Sequence, residues 1–146
     1  MSFVEYHRDE FTISTDPARL DVGLIYRSLT QLTYWAQNRT EEVVRRSIEN
    51  SLNFGVYCGD QQVGFARVVT DYATFSWLCD VFILPEYRGK GLSKWLVETI
   101  IHHPDLKDQR RLLLATRDAH ELYRKYGGFS PLPNPERWME KFNPES

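Results

Sequence analysis

Cysteine is scarce in this chain: of 146 residues only Cys58 and Cys79 are cysteine, and no C-x-x-C spacing occurs. That excludes a disulfide-stapled scaffold and a zinc knuckle. It leaves two thiols in apolar, strand-like surroundings, expected to be buried and free. Long apolar runs are missing as well, and nothing approaches the ~18 residues of a membrane span. Met1 to Glu10 is polar rather than signal-like, so no membrane partner is expected and a reducing cytoplasm is the expected compartment. The chain also lacks a dominant sign of charge. A net charge of -2 and a pI near 6.1 argue against a broad nucleic-acid footprint, so no nucleic-acid partner is expected. Internal repeats and linker-like stretches are absent, and residues 1–146 read as one domain with one sizeable core.

What is present is the composition of a packed protein. Hydrophobic residues make up 42% and aromatics 14%, which excludes a disordered chain. The cations gather locally, at Arg45-Arg46, Arg88 to Lys94 and Lys107 to Arg111. That pattern suits a site for a small anion better than a basic face.

The stretch from Leu84 to Leu96 is the most informative. An apolar run, Val81 to Leu84, meets a turn at Pro85, then Arg88-Gly89-Lys90-Gly91, then a helical pattern at Leu92, Leu96 and Ile100. Glycines let the backbone approach a ligand and turn its N–H groups inward. A helix N-terminus behind them adds unpaired donors and the positive end of a dipole. The loop is a candidate cradle for the diphosphate of a small cofactor.

Upstream, Phe11 to Ser14 reads as a strand, and Asp16 with Pro17 opens a helix whose core stripe is Leu20, Leu24, Leu29 and Leu32. Thr40 starts a second helix, stacking Val44, Ile48 and Leu52. Phe54 to Cys58 and Val63 to Val69 form a hairpin about Gly59-Asp60, and Phe75 to Leu84 follows a turn at Asp71 to Ala73. Past the glycine loop, a helix from Leu92 stops near Pro104. Leu112 to Thr116 reads as a short buried strand. Asp118 with Glu121 resembles a capping box for a helix ending at Gly127-Gly128, and Phe129 to Leu132 as one more strand. The plan is α+β with one parallel crossover, and the glycine loop lies at its strand-to-helix junction.

These residues resemble the GCN5-related N-acetyltransferase (GNAT) superfamily over nearly the whole chain. Its cofactor motif, Arg/Gln-x-x-Gly-x-Gly/Ala, stands here as Arg88-Gly89-Lys90-Gly91-Leu92-Ser93, with Ser93 in the place of a smaller residue. Its second motif, Ala-x-x-Leu-Tyr-x-x-x-Gly-Phe, stands as Ala119 to Phe129 with one extra glycine at Gly127-Gly128. The resemblance implies a mixed α/β fold: a mostly antiparallel sheet of about six to seven strands with a splayed parallel pair, flanked by about four helices.

It also implies an acetyl-CoA-dependent N-acetyltransferase acting by direct transfer in a ternary complex. Backbone N–H groups from Gly89 to Ser93, Leu92 included, would hold the diphosphate, with Arg88 and Lys90 adding charge. Backbone groups of Phe82 and Ile83, facing Leu112 to Thr116, would hold the pantetheine arm. Thr116 stands where the family often has a cofactor-binding asparagine. Tyr123 would protonate the departing thiolate, since a phenol is protonated at neutral pH.

Asp80 interrupts an apolar strand, and a buried carboxylate needs a partner or a raised pKa. It stands as base for the acceptor amine, as anchor of a cationic amine, or as partner of an arginine such as Arg67. Tyr26, Tyr34, Trp35, Tyr72, Phe75 and Trp77, with Asp71 nearby, form an aromatic-rich set that suits a wall for an aromatic or alkyl amine whose cation meets carboxylates, and of these Phe75 and Trp77 read as core. No metal is expected, because His102-His103 alone makes a poor site. The expected acceptor is a small-molecule amine, and the chain is expected as a monomer or homodimer. Acetylation of a protein or peptide amine, and a non-catalytic acyl-CoA sensor, are the alternatives.

Overall fold

The computed structural model describes residues 2–146. Two short strands come first, β1 (Glu5–Arg8) and β2 (Phe11–Ser14), joined through Asp9 at φ 54. Only β2 is expected from the sequence; β1 is a polar, mostly exposed edge strand and so carries no apolar alternation. The helix expected from Asp16 divides in two. The Asp16 carboxylate accepts from the Ala18 N–H and opens a 3-10 turn, Pro17–Arg19. Asp21 then accepts from the Leu24 N–H and starts α1 (Val22–Leu32). The second helix, α2 (Glu41–Glu49), starts at Thr40 as expected, with the Thr40 hydroxyl accepting from the Val43 N–H at 3.2 Å.

The buried stripes differ from those expected. On α1 they are Ile25, Ser28 and Leu29, whereas Leu32 is 43% exposed at the C-terminal end. On α2 they are Val44 and Ile48, and Leu52 already belongs to the next strand. That strand is β3 (Leu52–Cys58), followed by β4 (Gln61–Thr70) and β5 (Phe75–Ile83) in an antiparallel meander. After the glycine loop come α3 (Leu92–Ile101), β6 (Arg111–Leu113) and α4 (His120–Gly127).

The sheet is six-stranded in the order β1-β2-β3-β4-β5-β6, antiparallel throughout except for the parallel pair β5–β6. Its two faces carry two apolar clusters. Val63, Ala66, Val68 and Leu78 pack with α3 and Tyr123 of α4 on one side. Phe65, Phe82 and Leu84 pack under α1 and α2 on the other. The second pair of helices thus covers one end of β5 and leaves its start open. For that reason Phe75 and Trp77, expected in the core, stay 37% and 39% exposed. Cys58 and Cys79 are free, as expected, but half-buried rather than buried.

The C-terminal third holds the other differences. β6 is shorter than expected and half-buried, because it is the edge strand and its far side has no neighbour. Ala119 supplies no side-chain cap for α4; instead the Thr116 hydroxyl accepts from the Ala119 N–H at 3.1 Å, and Glu121 pairs with Arg124. The expected Asp118–Glu121 capping box is absent. Phe129 to Leu132 is not a strand, since the Phe129 ring turns edge-on to Tyr123 with centroids 6.0 Å apart.

The doubled glycine ending α4 has two separate uses. Gly128 is the left-handed C-cap at φ 71. Gly127 is forced by contact: a Cβ there would lie 2.7 Å from the Phe129 ring and 2.9 Å from Val97 of α3. Gly127→Val should therefore lower the unfolding free energy by about 1–3 kcal/mol, measured by urea denaturation, because the α3–α4 seam must part to admit the side chain.

Candidate active site

The parallel pairing of β5 with β6 ends early. Phe75, Ser76 and Trp77 pair with Arg111, Leu112 and Leu113, and no partner follows although β5 runs on to Ile83. Ser76, buried at the start of this pair, is tied to Thr70 and Gln109 by its hydroxyl, which holds the strands together at that end. Beyond Trp77 they separate and open a cleft of about 960 Å³. Trp77 to Ile83 line one wall, Leu114 to Ala119 and Tyr123 the other, and Leu32 to Trp35 with Arg39 lie across the end away from the glycine loop.

The free backbone groups on the β5 wall follow from alternation. The Leu84 N–H donates to Val63 O at 2.8 Å, so Leu84 faces β4. Ile83 must then turn its N–H and C=O the other way, into the cleft, and Phe82 turns back to β4 opposite Phe65. Phe82, expected to offer backbone groups to a ligand, is corrected on this ground, and its ring packs in the α1–α2 core. Ile83 keeps its expected place. Its carbonyl accepts from Arg88 Nε at 3.1 Å, so the arginine of the glycine loop is oriented against the strand end.

The loop itself has the conformation that its glycines suggest. Gly89 and Gly91 lie at φ 82 and 77, and a Cβ on either would meet nothing within 4 Å. The requirement for glycine is thus backbone conformation, and the space above them is open. Gly91 is the N-cap of α3 without a side-chain cap, and the first helical bond is from Trp95 N–H to Gly91 O. The N–H groups of Leu92, Ser93 and Lys94 therefore point outward as donors at the helix start. Arg88 and Ser93 line the cleft there; Lys90 is exposed beside it, and the Leu92 side chain is core.

Asp80 lies at a bulge. Phe65 pairs with Phe82 and Arg67 with Cys79, so Asp80 and Val81 together oppose Ala66. Asp80 takes φ 56, which bends the strand and sends its side chain under the α1–α2 side. The carboxylate is 2% exposed and fully used. Oδ2 accepts from Arg39 Nη1 at 2.8 Å and Arg67 Nε at 2.9 Å, and Oδ1 accepts from Trp35 Nε1 at 3.0 Å. Burial alone would raise its pKa; the guanidiniums of Arg67 and Arg39 outweigh that and hold it below its ordinary value. Such a group is a poor base and has no oxygen free for a cationic amine. Of the roles open to Asp80, only pairing with arginine fits; the expected base and anchor roles are corrected.

Tyr123 is buried on α4, and burial, with Tyr34 and Asp118 nearby, pushes its hydroxyl up to about 12. It remains a proton carrier throughout the neutral range. Cys79 lines the opposite wall, and burial together with the adjacent Asp80 charge pushes its thiol up to about 11. No histidine lines the cleft. Tyr34 spans it: its hydroxyl accepts from the Arg117 N–H at 3.1 Å, the Arg117 guanidinium lies 3.8 Å from its ring centre, and Trp35 packs edge-on at 5.0 Å.

The structure brings together Ile83, Arg88, Ser93, Thr116, Tyr123, Tyr34 and Trp35 around one cleft, with Asp80 braced in its floor. Three expected substrate contacts lie elsewhere. Tyr26 packs against the α1–α2 core. Tyr72 lines a separate cavity of about 620 Å³ at the other end of the sheet, with His103. Asp71 turns inward on its own loop, where hydrogen bonds from Thr74, Ala73 and Phe75 hold its carboxylate well below the usual range. Arg39 and Arg117 were not expected at the site, and Trp77, expected in the core, lines it; nothing local singles out Arg39 among the arginines. Among the described residues no group of histidine, cysteine and acidic side chains could hold a metal ion, and no helix is long and apolar enough to cross a membrane.

Comparison with known proteins agrees with this geometry. The family model described as an acetyltransferase (GNAT) domain matches residues 49–127. A Gibberella zeae protein provisionally named an acetyltransferase is 32% identical over 141 residues, covering 81% of this chain and 78% of its own. A GNAT-family protein of Xanthomonas campestris, known from a crystal structure, is 48% identical with a TM-score of 0.90, covering 95% of this chain and 97% of its own. A GNAT-family acetyltransferase of Elizabethkingia anophelis, crystallised with acetyl-CoA bound, shares the fold at a TM-score of 0.61 and 14% identity, covering 82% of this chain and 76% of its own.

The Asp80 brace carries a stability prediction. Asp80→Asn leaves two guanidiniums without their carboxylate and should cost about 3–5 kcal/mol by urea denaturation at pH 7. Because the folded-state pKa of Asp80 is depressed, its contribution is present above the ordinary carboxylate range and lost as pH falls through the folded value. The gap between wild type and variant should therefore narrow below about pH 4.

Proposed function

The chain belongs to the GNAT acetyltransferase family, and we propose that it is an acetyl-CoA-dependent N-acetyltransferase acting on a primary amine of a small molecule. The observation that carries this reading is the continuity of one cleft from the uncapped start of α3, past the outward-facing Ile83 N–H, to Tyr123. The fit to acetyl-CoA is chemical: open donors at a left-handed glycine turn suit a diphosphate, and an unpaired strand edge suits the amides of a pantetheine arm.

Bound there, acetyl-CoA supplies the thioester acetyl group. The backbone N–H groups from Gly89 to Ser93, with Arg88 and Lys90, would hold its diphosphate, and Ile83 its pantetheine. Tyr34 and Trp35 line the acceptor end. The amine reaches the site as an ammonium and must give a proton to solvent before its nitrogen bonds to the carbonyl carbon. As the carbon–sulfur bond breaks, Tyr123 gives its hydroxyl proton to the departing sulfur, and the second proton that the nitrogen sheds as the amide forms returns through solvent to the phenol, whose raised pKa keeps it loaded. Attack is direct in a ternary complex, because the thiol lining the cleft, Cys79, is held protonated and no histidine is there to activate it.

Tyr123→Phe should lower kcat by about 10²–10⁴ while the calorimetric Kd for acetyl-CoA stays within about twofold. Unchanged turnover removes Tyr123 from the chemistry. Gly91→Glu, strained at φ 77 and charged beside the diphosphate, should abolish acetyl-CoA binding. Wild-type protein that binds acetyl-CoA yet releases no CoA with any amine would be the acyl-CoA sensor instead.

A further inference from the structure

Resting on that acetyl-transfer reading, we propose that the acceptor amine carries an anionic group, a carboxylate or a phosphate, that docks on Arg39. The charge around the Asp80 brace does not balance. Two guanidiniums, Arg39 and Arg67, share one carboxylate, which leaves one positive charge in excess at the acceptor end. Arg67 is withdrawn: its Nε is on Asp80, its Nη1 donates to Ser51 Oγ at 3.0 Å, and it does not line the cleft. Arg39 does line it, with a side chain 22% exposed. Only its Nη1 is used, on Asp80 Oδ2; its Nε and Nη2 enter no hydrogen bond among the described residues. A planar guanidinium held on one edge by a buried carboxylate is preorganised to present its remaining donors to a second anion.

The other charged groups of the cleft are accounted for. Arg88 lies at the glycine-loop end, against Ile83 O. Arg117 is stacked on the Tyr34 ring, and its neighbour Asp118 lines the same wall of the cleft as Tyr123. A carboxylate beside Tyr123 is where an incoming ammonium belongs, and the arginine side is where its anion belongs. Trp35, Trp77 and Tyr34 between them offer apolar surface to the body of the molecule. The earlier expectation of a cation met by Asp80 and Asp71 is thereby reversed, since the first is consumed by arginines and the second lies on another loop.

The test compares matched amines with and without the anion: phenylalanine against phenethylamine, and O-phosphoethanolamine against ethanolamine. CoA release with acetyl-CoA should show kcat/KM about 10- to 100-fold higher for the anionic member of at least one pair, the pair telling carboxylate from phosphate. Arg39→Gln should bring that ratio to within about twofold of one, whereas Arg39→Lys, which keeps a cation, should keep part of it. Asp80 retains Arg67 and Trp35 in both variants, and thermal unfolding checks that each is folded. Preference of the wild type for the members that lack the anion, or a ratio unchanged in folded Arg39→Gln, overturns the inference. Calorimetry of the same amines on CoA-loaded protein separates the two readings. Anionic members that bind without being acetylated overturn the transferase reading and leave the docking site; if neither member binds, or both bind equally, the docking site is wrong.

Discussion

One buried carboxylate organises the functional half of this protein. Asp80 sits in left-handed backbone inside a strand, a conformation that costs a non-glycine residue on the order of 1–3 kcal/mol, and it carries its charge into the core. Both costs are offset at one place, by two guanidiniums and an indole. The arrangement reaches beyond its own strand. Trp35 and Arg39 belong to the segment between α1 and α2, which has no regular structure of its own, and their bonds to Asp80 pin that segment over the cleft. Arg67 ties the same carboxylate to Ser51 and the end of α2. Bulge, strap and helix pair are thus fastened to a single point.

That point also explains how a sheet acquires a binding cleft without losing its order. β5 is held on one side by β4 and, at its start, by β6 through the Thr70–Ser76–Gln109 cluster. Past Trp77 the bulge bends it, β6 ends, and the backbone groups that alternate away from β4, such as the Ile83 N–H, face the cleft. An unpaired strand edge is ordinarily a liability. Here it lies inside the cleft, between the strap and the Leu114 to Ala119 wall, where a ligand can complete it and a second chain cannot easily reach.

The two ends of the cleft have different origins. The glycine-loop end rests on backbone: left-handed glycines and an uncapped helix start, with side chains adding little beyond charge. Family membership speaks to this end. The acceptor end rests on side chains from distant segments, Tyr34, Trp35, Arg39, Trp77 and Arg117, and its charge balance belongs to this particular set.

The same division decides what was legible in the sequence. Apolar spacing, the Thr40 cap, the hairpin at Gly59-Asp60 and the glycine loop are local signals, and they determined most of the element order and the loop's conformation, while Tyr123 was singled out by the family motif. Polar β1 was invisible because an exposed edge strand buries no stripe, and Phe75 and Trp77 read as core because apolar residues in a strand do not disclose whether a helix covers them. The Asp118 cap expected at α4 is absent, and the Thr116 hydroxyl instead takes the Ala119 N–H ahead of the helix, a choice that the local spacing of acceptors does not disclose. The sequence alone determined that a buried Asp80 needs a partner or a raised pKa, and among possible partners it offered Arg67 on the neighbouring strand. Only the tertiary structure decided that Arg39 would join from across the chain, because ion pairing depends on distance in space, and a strap without periodicity carries no local record of where it will lie.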